Sequence, residues 1–140
     1  MHKLPEGQQI RLATLNINGL SKRLSRVIAI LSDFRIDVLC IQEAKITGNS
    51  LGSVKFKLRQ AGYQVFAGFP TTTDDDEWKI DCLVISRLPT DQLTEPVMRT
   101  MGRSVFTAVH VPGRGPMIVV GLHGPFNPID GREMMLACHR

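Results

Sequence analysis

Cysteine is scarce in this chain of 140 residues, and the three present, Cys40, Cys82 and Cys138, stand far apart with no CxxC pair. Neither a disulfide framework nor a cysteine-built zinc site is signalled, and a reducing intracellular compartment is the default expectation. No apolar run approaches the roughly 20 residues that a membrane helix needs. The opening MHKLPEGQQI contains no apolar stretch of the signal-peptide kind. No internal repeat is present. A membrane protein, a zinc finger and a secreted disulfide scaffold are therefore excluded as first readings. A length of 140 residues allows one domain at most, and with 43% hydrophobic and 21% charged residues the chain is composed like a globular domain rather than a disordered one.

Acidic residues are thin in the front part. Residues 1–60 hold ten Lys/Arg against four Asp/Glu, whereas residues 61–140 hold seven against nine, largely because of Asp74, Asp75, Asp76 and Glu77. The net charge of +4 is therefore concentrated toward the start of the chain. Such an excess draws in phosphates by counterion release. On charge alone a solvated helix face is the favoured account of the same excess, which supports a polyanionic partner without demonstrating one.

Residues 1–9 form a polar tail, and residues 10–140 read as one folded unit. The first strand is expected over residues 10–17, with Ala13, Leu15 and Ile17 on one face and Leu12, Thr14 and Asn16 on the other. Asn18-Gly19 breaks it. Ser21 is placed to cap a helix whose apolar positions Leu24, Val27, Ile28, Leu31 and Phe34 recur at helical spacing. Val38-Leu39-Cys40-Ile41 is a short, unbroken apolar run, the pattern of a strand buried on both faces. A second helix fits residues 53–60, closed by Gly62. Residues 71–77 offer almost nothing to bury and read as an exposed loop. Further strands are expected at 63–67, 82–86, 105–111 and 117–122, the last two joined by a Pro112–Pro116 hairpin loop. A last helix, capped by Asp130 and Glu133, fits residues 131–138. The order β-α-β-α followed by strands implies a mixed α/β sandwich with helices against a largely β core.

Chemistry-bearing residues collect where these strands end. Asn16 and Asn18 lie two apart, which on an extended chain points both side chains the same way. Glu43 follows the buried strand, after Gln42 and two before Lys45, and sits beside the first strand if the two pair. His123-Gly124-Pro125-Phe126-Asn127-Pro128 forms a rigid polar segment after the last strand. One carboxylate with amide side chains suits a hard cation such as Mg²⁺, which keeps several waters and takes few protein ligands. Taken singly, each residue is also an ordinary strand-end or turn residue.

Taken together, Leu12-Ala13-Thr14-Leu15-Asn16-Ile17-Asn18-Gly19-Leu20, the amphipathic helix, and Ile36-Asp37-Val38-Leu39-Cys40-Ile41-Gln42-Glu43-Ala44-Lys45 resemble the opening of the endonuclease/exonuclease/phosphatase superfamily. Within it they look most like the endonuclease domains of non-LTR (LINE-type) retrotransposons, relatives of the apurinic/apyrimidinic endonucleases. The likeness continues more weakly through Gly62-Tyr63 and the hairpin to His123–Asn127. It implies a four-layer α/β sandwich, incomplete at the C-terminal end, and hydrolysis of DNA phosphodiesters with Mg²⁺, for which Mn²⁺ can substitute. By the resemblance, Glu43 is the metal-binding residue, Asn16 and His123 are catalytic, and Asn18, Lys45 and Asn127 bind substrate. The implied setting is the nucleus, next to a reverse transcriptase in a longer polyprotein.

Three departures accompany the likeness. Ile80-Asp81-Cys82-Leu83-Val84-Ile85 stands where the family usually has a Gly-Gly-Val/Ile-Ala strand, and His123 stands where it usually has tyrosine. Neither a G-D-F-N segment nor a terminal Asp-His pair follows. Weak or absent nuclease activity of these residues alone is the expectation. Two alternatives are a phosphatase of lipids or other small phosphoesters, which would release free phosphate, and a catalytically dead remnant that binds nucleic acid.

Overall fold

The computed structural model describes residues 9–68, 71–72, 78–94 and 104–122. Strand β1 (Leu12–Asn16) leads through a short 3-10 turn (Ser21–Arg23) into helix α1 (Leu24–Asp33) and on to β2 (Val38–Gln42). A two-residue strand β3 (Ile46–Thr47) precedes helix α2 (Gly48–Gln60), which returns to β4 (Gln64–Ala67). Strands β5 (Thr71–Thr72), β6 (Trp78–Ile80), β7 (Leu83–Ser86), β8 (Thr90–Leu93), β9 (Ser104–Val111) and β10 (Gly115–Leu122) follow.

Three sheets result. The main one has the order β1-β2-β7-β4, the second β10-β9-β8, and a small third one β3-β6-β5. β1 and β2 run parallel, with Leu12 opposite Val38 and Asn16 opposite Gln42. That is the geometry a helix crossover imposes, because two parallel strands cannot be joined by a tight turn. β7 is antiparallel to both of its neighbours.

The unbroken apolar run of β2 is explained by its central place. Leu39 and Ile41 face the helices and join Val27, Leu31, Val54, Leu58, Leu83 and Ile85 in one core. Val38 faces the other way, packing with Cys82, Val84, Val105 and Val109 between the main sheet and the second one. The architecture is thus helices, main sheet, second sheet. This is the expected mixed α/β sandwich, built by alternate residues of the same strand serving different cores. β1, at the edge, buries only one side: Ala13 and Leu15 pack inward, while Leu12 is 53% exposed. On the outer side of the second sheet Ile118 (60% exposed), Val120 (41%) and Leu93 (37%) face outward.

Several expectations need correction. Ser21 does not cap α1; the chain makes a 3-10 turn there, and no side-chain bond caps either segment. Phe34 is not on the buried stripe but 63% exposed, because α1 ends at Asp33 and the chain turns away through Arg35 in a left-handed conformation (φ 50). α2 starts five residues before the expected position, where Thr47 Oγ1 accepts a hydrogen bond from Ser50 N (3.2 Å). That cap and the burial of Val54 and Leu58 outweigh the poor helix propensity of Gly48, Asn49 and Gly52. Thr71–Thr72 is paired with Trp78–Lys79 rather than looped. The strands β3, β6 and β8 were not foreseen; all three are short and lack clean alternation. The expected helix 131–138 lies outside the described residues.

Candidate active site

The site begins with how two parallel strands end. Past the last paired residues of β1 and β2, the two chains stay joined: Ile17 N donates to Gln42 O (3.1 Å), Gly19 N to Glu43 O (2.8 Å) and Leu20 N to Ala44 O (2.8 Å). On the other side Ala44 N donates to Asp81 O (2.9 Å), so the segment before β7 grips the same stretch. Leu20 and Ala44 are fully buried and anchor both turns to the core. Backbone bonding alone therefore places Asn16, Asn18, Glu43 and Lys45 along one rim.

Residues on that rim hold an uncommon backbone conformation. Asn18 (φ 47), Glu43 (φ 54) and Lys45 (φ 49) are all left-handed, alternating with Gly19 (φ 105) and the buried Ala44. Asn tolerates this region, but for Glu and Lys it costs on the order of 1–2 kcal/mol each. Such outliers persist only where surrounding bonds enforce them, and they gather at functional sites. Here the cross-chain bonds at Glu43 O and Ala44 N and O do the enforcing. The left-handed turn also corrects an expectation: Asn18 has left the strand, so the alternation that would align it with Asn16 does not extend to it.

The side chains then interlock. Lys45 Nζ donates to Asn18 Oδ1 at 2.5 Å. Arg23 Nη1 donates to the carbonyls of Asn18 (2.9 Å) and Gly19 (3.3 Å), bracing the turn from the start of the helical segment. Just below, Thr14 and the Gln42 amide exchange hydrogen bonds of 3.1 and 2.9 Å across the parallel pair. Asn16 and Asn18 are exposed and Glu43 is half-buried with a partner of its own. A carboxylate, amide oxygens and an ammonium thus share one accessible edge.

Of the residues singled out in the sequence, Asn16, Asn18, Glu43 and Lys45 are brought together. His123 and Asn127 lie outside the described residues. Among the described residues no group of three or more His, Cys, Asp and Glu side chains converges on one point. The oxygen donors on the rim still suit a hard cation: one carboxylate at Glu43 and neutral amide oxygens at Asn16 and Asn18. Asn18 Oδ1 already accepts a cationic group, the Lys45 ammonium. Sequence reasoning missed Arg23, whose place among the basic residues of the helical segment gave no hint that it reaches back five positions. It also missed Asp81, which acts through its backbone carbonyl, invisible to residue type.

Comparison with known proteins identifies the fold and the family. Residues 13–133 match the profile of the "Endonuclease/Exonuclease/phosphatase family". No curated protein sequence matches the chain. Among solved structures, the chain resembles an AP endonuclease from Archaeoglobus fulgidus (TM-score 0.63, 17% identity), covering 94% of this chain and 49% of that one. It also resembles the endonuclease domain of TRAS1, a telomere-specific non-LTR retrotransposon (TM-score 0.57, 12% identity, 94% and 54% covered). A third likeness is to the 3′ phosphatase NExo from Neisseria, bound to a product DNA hairpin (TM-score 0.53, 18% identity, 82% and 41% covered). The chain spans about half the length of these structures. With the family profile matched over residues 13–133, and with a fold similar to these structures, the chain belongs to the endonuclease/exonuclease/phosphatase family.

Proposed function

We propose that the rim at the ends of β1 and β2 is part of a phosphodiester-hydrolysing site for DNA, of the retrotransposon-endonuclease type. The observation that supports this reading is the bond from Gly19 N to Glu43 O, which sets the Asn18 turn and the Glu43–Lys45 turn side by side. Glu43 and the amide oxygen of Asn16 or Asn18 would hold a Mg²⁺ ion, which Mn²⁺ can replace. When bound, such an ion supplies Lewis-acid polarisation of a phosphoryl oxygen and lowers the pKa of a bound water.

The chain's own groups then divide the remaining work. Lys45 puts positive charge where a phosphate oxygen would lie, and releases Asn18 Oδ1 when it turns to that phosphate. Asn18, held by Arg23, orients the same group. Asn16 hydrogen-bonds the scissile phosphate, and by the family resemblance His123 is catalytic and Asn127 binds substrate. The resemblance to AP endonucleases, to a retrotransposon endonuclease domain and to a DNA-bound 3′ phosphatase supports DNA as the substrate class. The excess of basic residues before position 60 supports it independently.

Glu43→Gln tests the reading. The amide keeps the shape but removes the charge a hard cation needs. Isothermal titration should show most Mg²⁺ affinity gone, while thermal unfolding stays near wild type. A plasmid-nicking assay with an EDTA control should lose any Mg²⁺-dependent nicking in the variant. Unchanged Mg²⁺ affinity would remove Glu43 from the metal role. Release of inorganic phosphate from small phosphomonoesters, without nicking, would move the reading to a phosphatase.

A further inference from the structure

At the other end of the main sheet lies a second feature. α2, β4 and the start of β8 enclose an open cleft of about 160 Å³, lined by Lys55, Arg59, Tyr63, Gln64, Phe66 and Thr90 among others. Register separates it from the rim. Gln64 stands opposite Ser86, which stands opposite Val38, whereas Ala67 aligns through Leu83 with Ile41. The cleft therefore sits about 15 Å along the strands from Glu43.

Its two cations have no structural employment among the described residues. Lys55 and Arg59 are four apart on one helix face, where like charges repel. α2 contains no acidic residue to offset them, and neither side chain has a hydrogen-bond or ion-pair partner among the described residues. Basic side chains near a helix end often satisfy its last carbonyls. Those places are already filled here: Ala61 N donates to Lys57 O (3.3 Å) and Leu58 O (3.1 Å), Gly62 N to Arg59 O (3.0 Å) and Tyr63 N to Leu58 O (2.9 Å). Two positive charges are thus held at the mouth of a cleft at a cost in repulsion that nothing nearby offsets.

The rest of the cleft is fixed and largely uncharged. The Tyr63 hydroxyl is committed to Ile36 O (2.9 Å), and the Thr90 hydroxyl donates within its own turn to Leu88 O or Ser86 Oγ. Tyr63 is buried and Phe66 half-buried, so neither brings a free polar group to the cleft, and the exposed Gln64 leaves an amide donor at the mouth. The volume is several times the roughly 30 Å³ a water occupies in the liquid. It admits a tetrahedral anion together with the carbon group that carries it.

We infer that this cleft is a second phosphate-binding site, taking a phosphomonoester between Lys55 and Arg59 with its organic group lying along β4. None of these residues belongs to the strand-end rim, so the cleft stands whether or not the rim hydrolyses DNA. The ester belongs either to a small molecule or to the terminal phosphate of a nucleic-acid strand, and the two sources are separable by experiment.

The 140-residue chain, isotope-labelled and held in EDTA, is titrated with a nucleoside 5′-monophosphate and with a tetranucleotide carrying or lacking a 5′-phosphate. Saturable amide shifts are expected at Lys55, Arg59 and Gln64. Lys55→Gln/Arg59→Gln should weaken binding about tenfold or more, and Glu43→Gln should leave it unchanged. Saturation by the monophosphate identifies a small ester as sufficient; saturation by the phosphorylated tetranucleotide alone identifies a strand end. Shifts that never saturate, shifts centred on Asn18 and Glu43, equal binding of the 5′-hydroxyl tetranucleotide, or wild-type affinity in the double variant would each overturn the inference. Should the double variant fail to fold, the wild-type shift map and the 5′-hydroxyl control still decide it.

Discussion

Lys45 and Asn18 lie on different turns, and the 2.5 Å hydrogen bond between them ties the chain after β1 to the chain after β2. Both residues are left-handed. The pair is a cation resting on an amide oxygen in the place where the proposed function needs both a cation and a phosphate.

Lys45→Met should separate these duties. Because the bond is exposed, its loss should cost less than about 1 kcal/mol of stability, read by urea unfolding. Mg²⁺ affinity should hold or rise, since the ammonium no longer competes for Asn18 Oδ1. DNA affinity should fall evenly across sequences, with the salt slope smaller by about one. An unaltered slope would take Lys45 off the phosphate.

Asp37→Asn tests the opposite end of the sheet. Asp37 is 4% exposed and accepts from Arg11 N (2.7 Å) and Arg87 Nε (2.5 Å). A fully buried ion pair broken on one side costs about 3–5 kcal/mol. The Arg87 side chain is 41% exposed and keeps water when its partner goes. The expected loss is therefore smaller, about 1.5–3 kcal/mol for hydrogen bonds to a charged group, measured by chemical denaturation with Arg87→Gln as the companion variant.

Gly121→Ala should destabilise although it adds one methyl to a strand. A Cβ there would meet Val105 Cγ1 at 2.9 Å and Val84 Cγ2 at 3.5 Å, in the seam between the two sheets. Overpacking of this kind costs about 1–3 kcal/mol. Val105→Ala in the same chain should restore part of it. A wild-type melting temperature in the single variant would mean that the seam is looser than the geometry indicates.

Tyr63 is the single tyrosine of the chain, so its titration can be read without ambiguity. Burial raises its pKa above 10.0, helped by the Asp37 charge and opposed by Arg87. The fold thus favours the neutral phenol, which donates to Ile36 O. Stability from this group is complete below the unfolded value and is lost as pH climbs through the higher folded one. Tyrosinate absorbance should show a midpoint above 10.0 in the native chain and return to about 10 in urea. Tyr63→Phe should flatten that alkaline loss.

Much of the sandwich was legible because burial leaves period-two and period-3.6 patterns. The run Val38–Ile41 announced a central strand, and the stripe Leu24, Val27, Leu31 announced the face of α1. Placement of Asn16 and Glu43 at neighbouring strand ends followed from one helix lying between two strands. What stayed hidden depends on conformation rather than residue type. The left-handed backbone at Glu43 and Lys45 is imposed by bonds from distant residues, which no local pattern encodes. Arg23 looks like any basic residue of a helical segment until its guanidinium is seen on the Asn18 carbonyl. The short strands β3 and β6 exist because each supplies an edge to the other, not because Ile46–Thr47 or Trp78–Ile80 is strongly β-forming alone.

The grip of Asp81 O on Ala44 N has a consequence for the order of folding. The β9–β10 hairpin closes across a tight turn at Pro112-Gly113 and can form within about 1–10 μs. β7, in contrast, must travel from Leu83–Ser86 back to Val38–Ile41, a long loop closure that slows folding by its entropy. Until β7 docks, the Asp81 bond to Ala44 N is missing, and the Glu43–Lys45 turn is held only from the β1 side, by the bonds of Gly19 N and Leu20 N. The rim should therefore be among the last parts to acquire its native shape, and a pulse-labelling experiment should find the Ala44 amide protected later than those of β9 and β10.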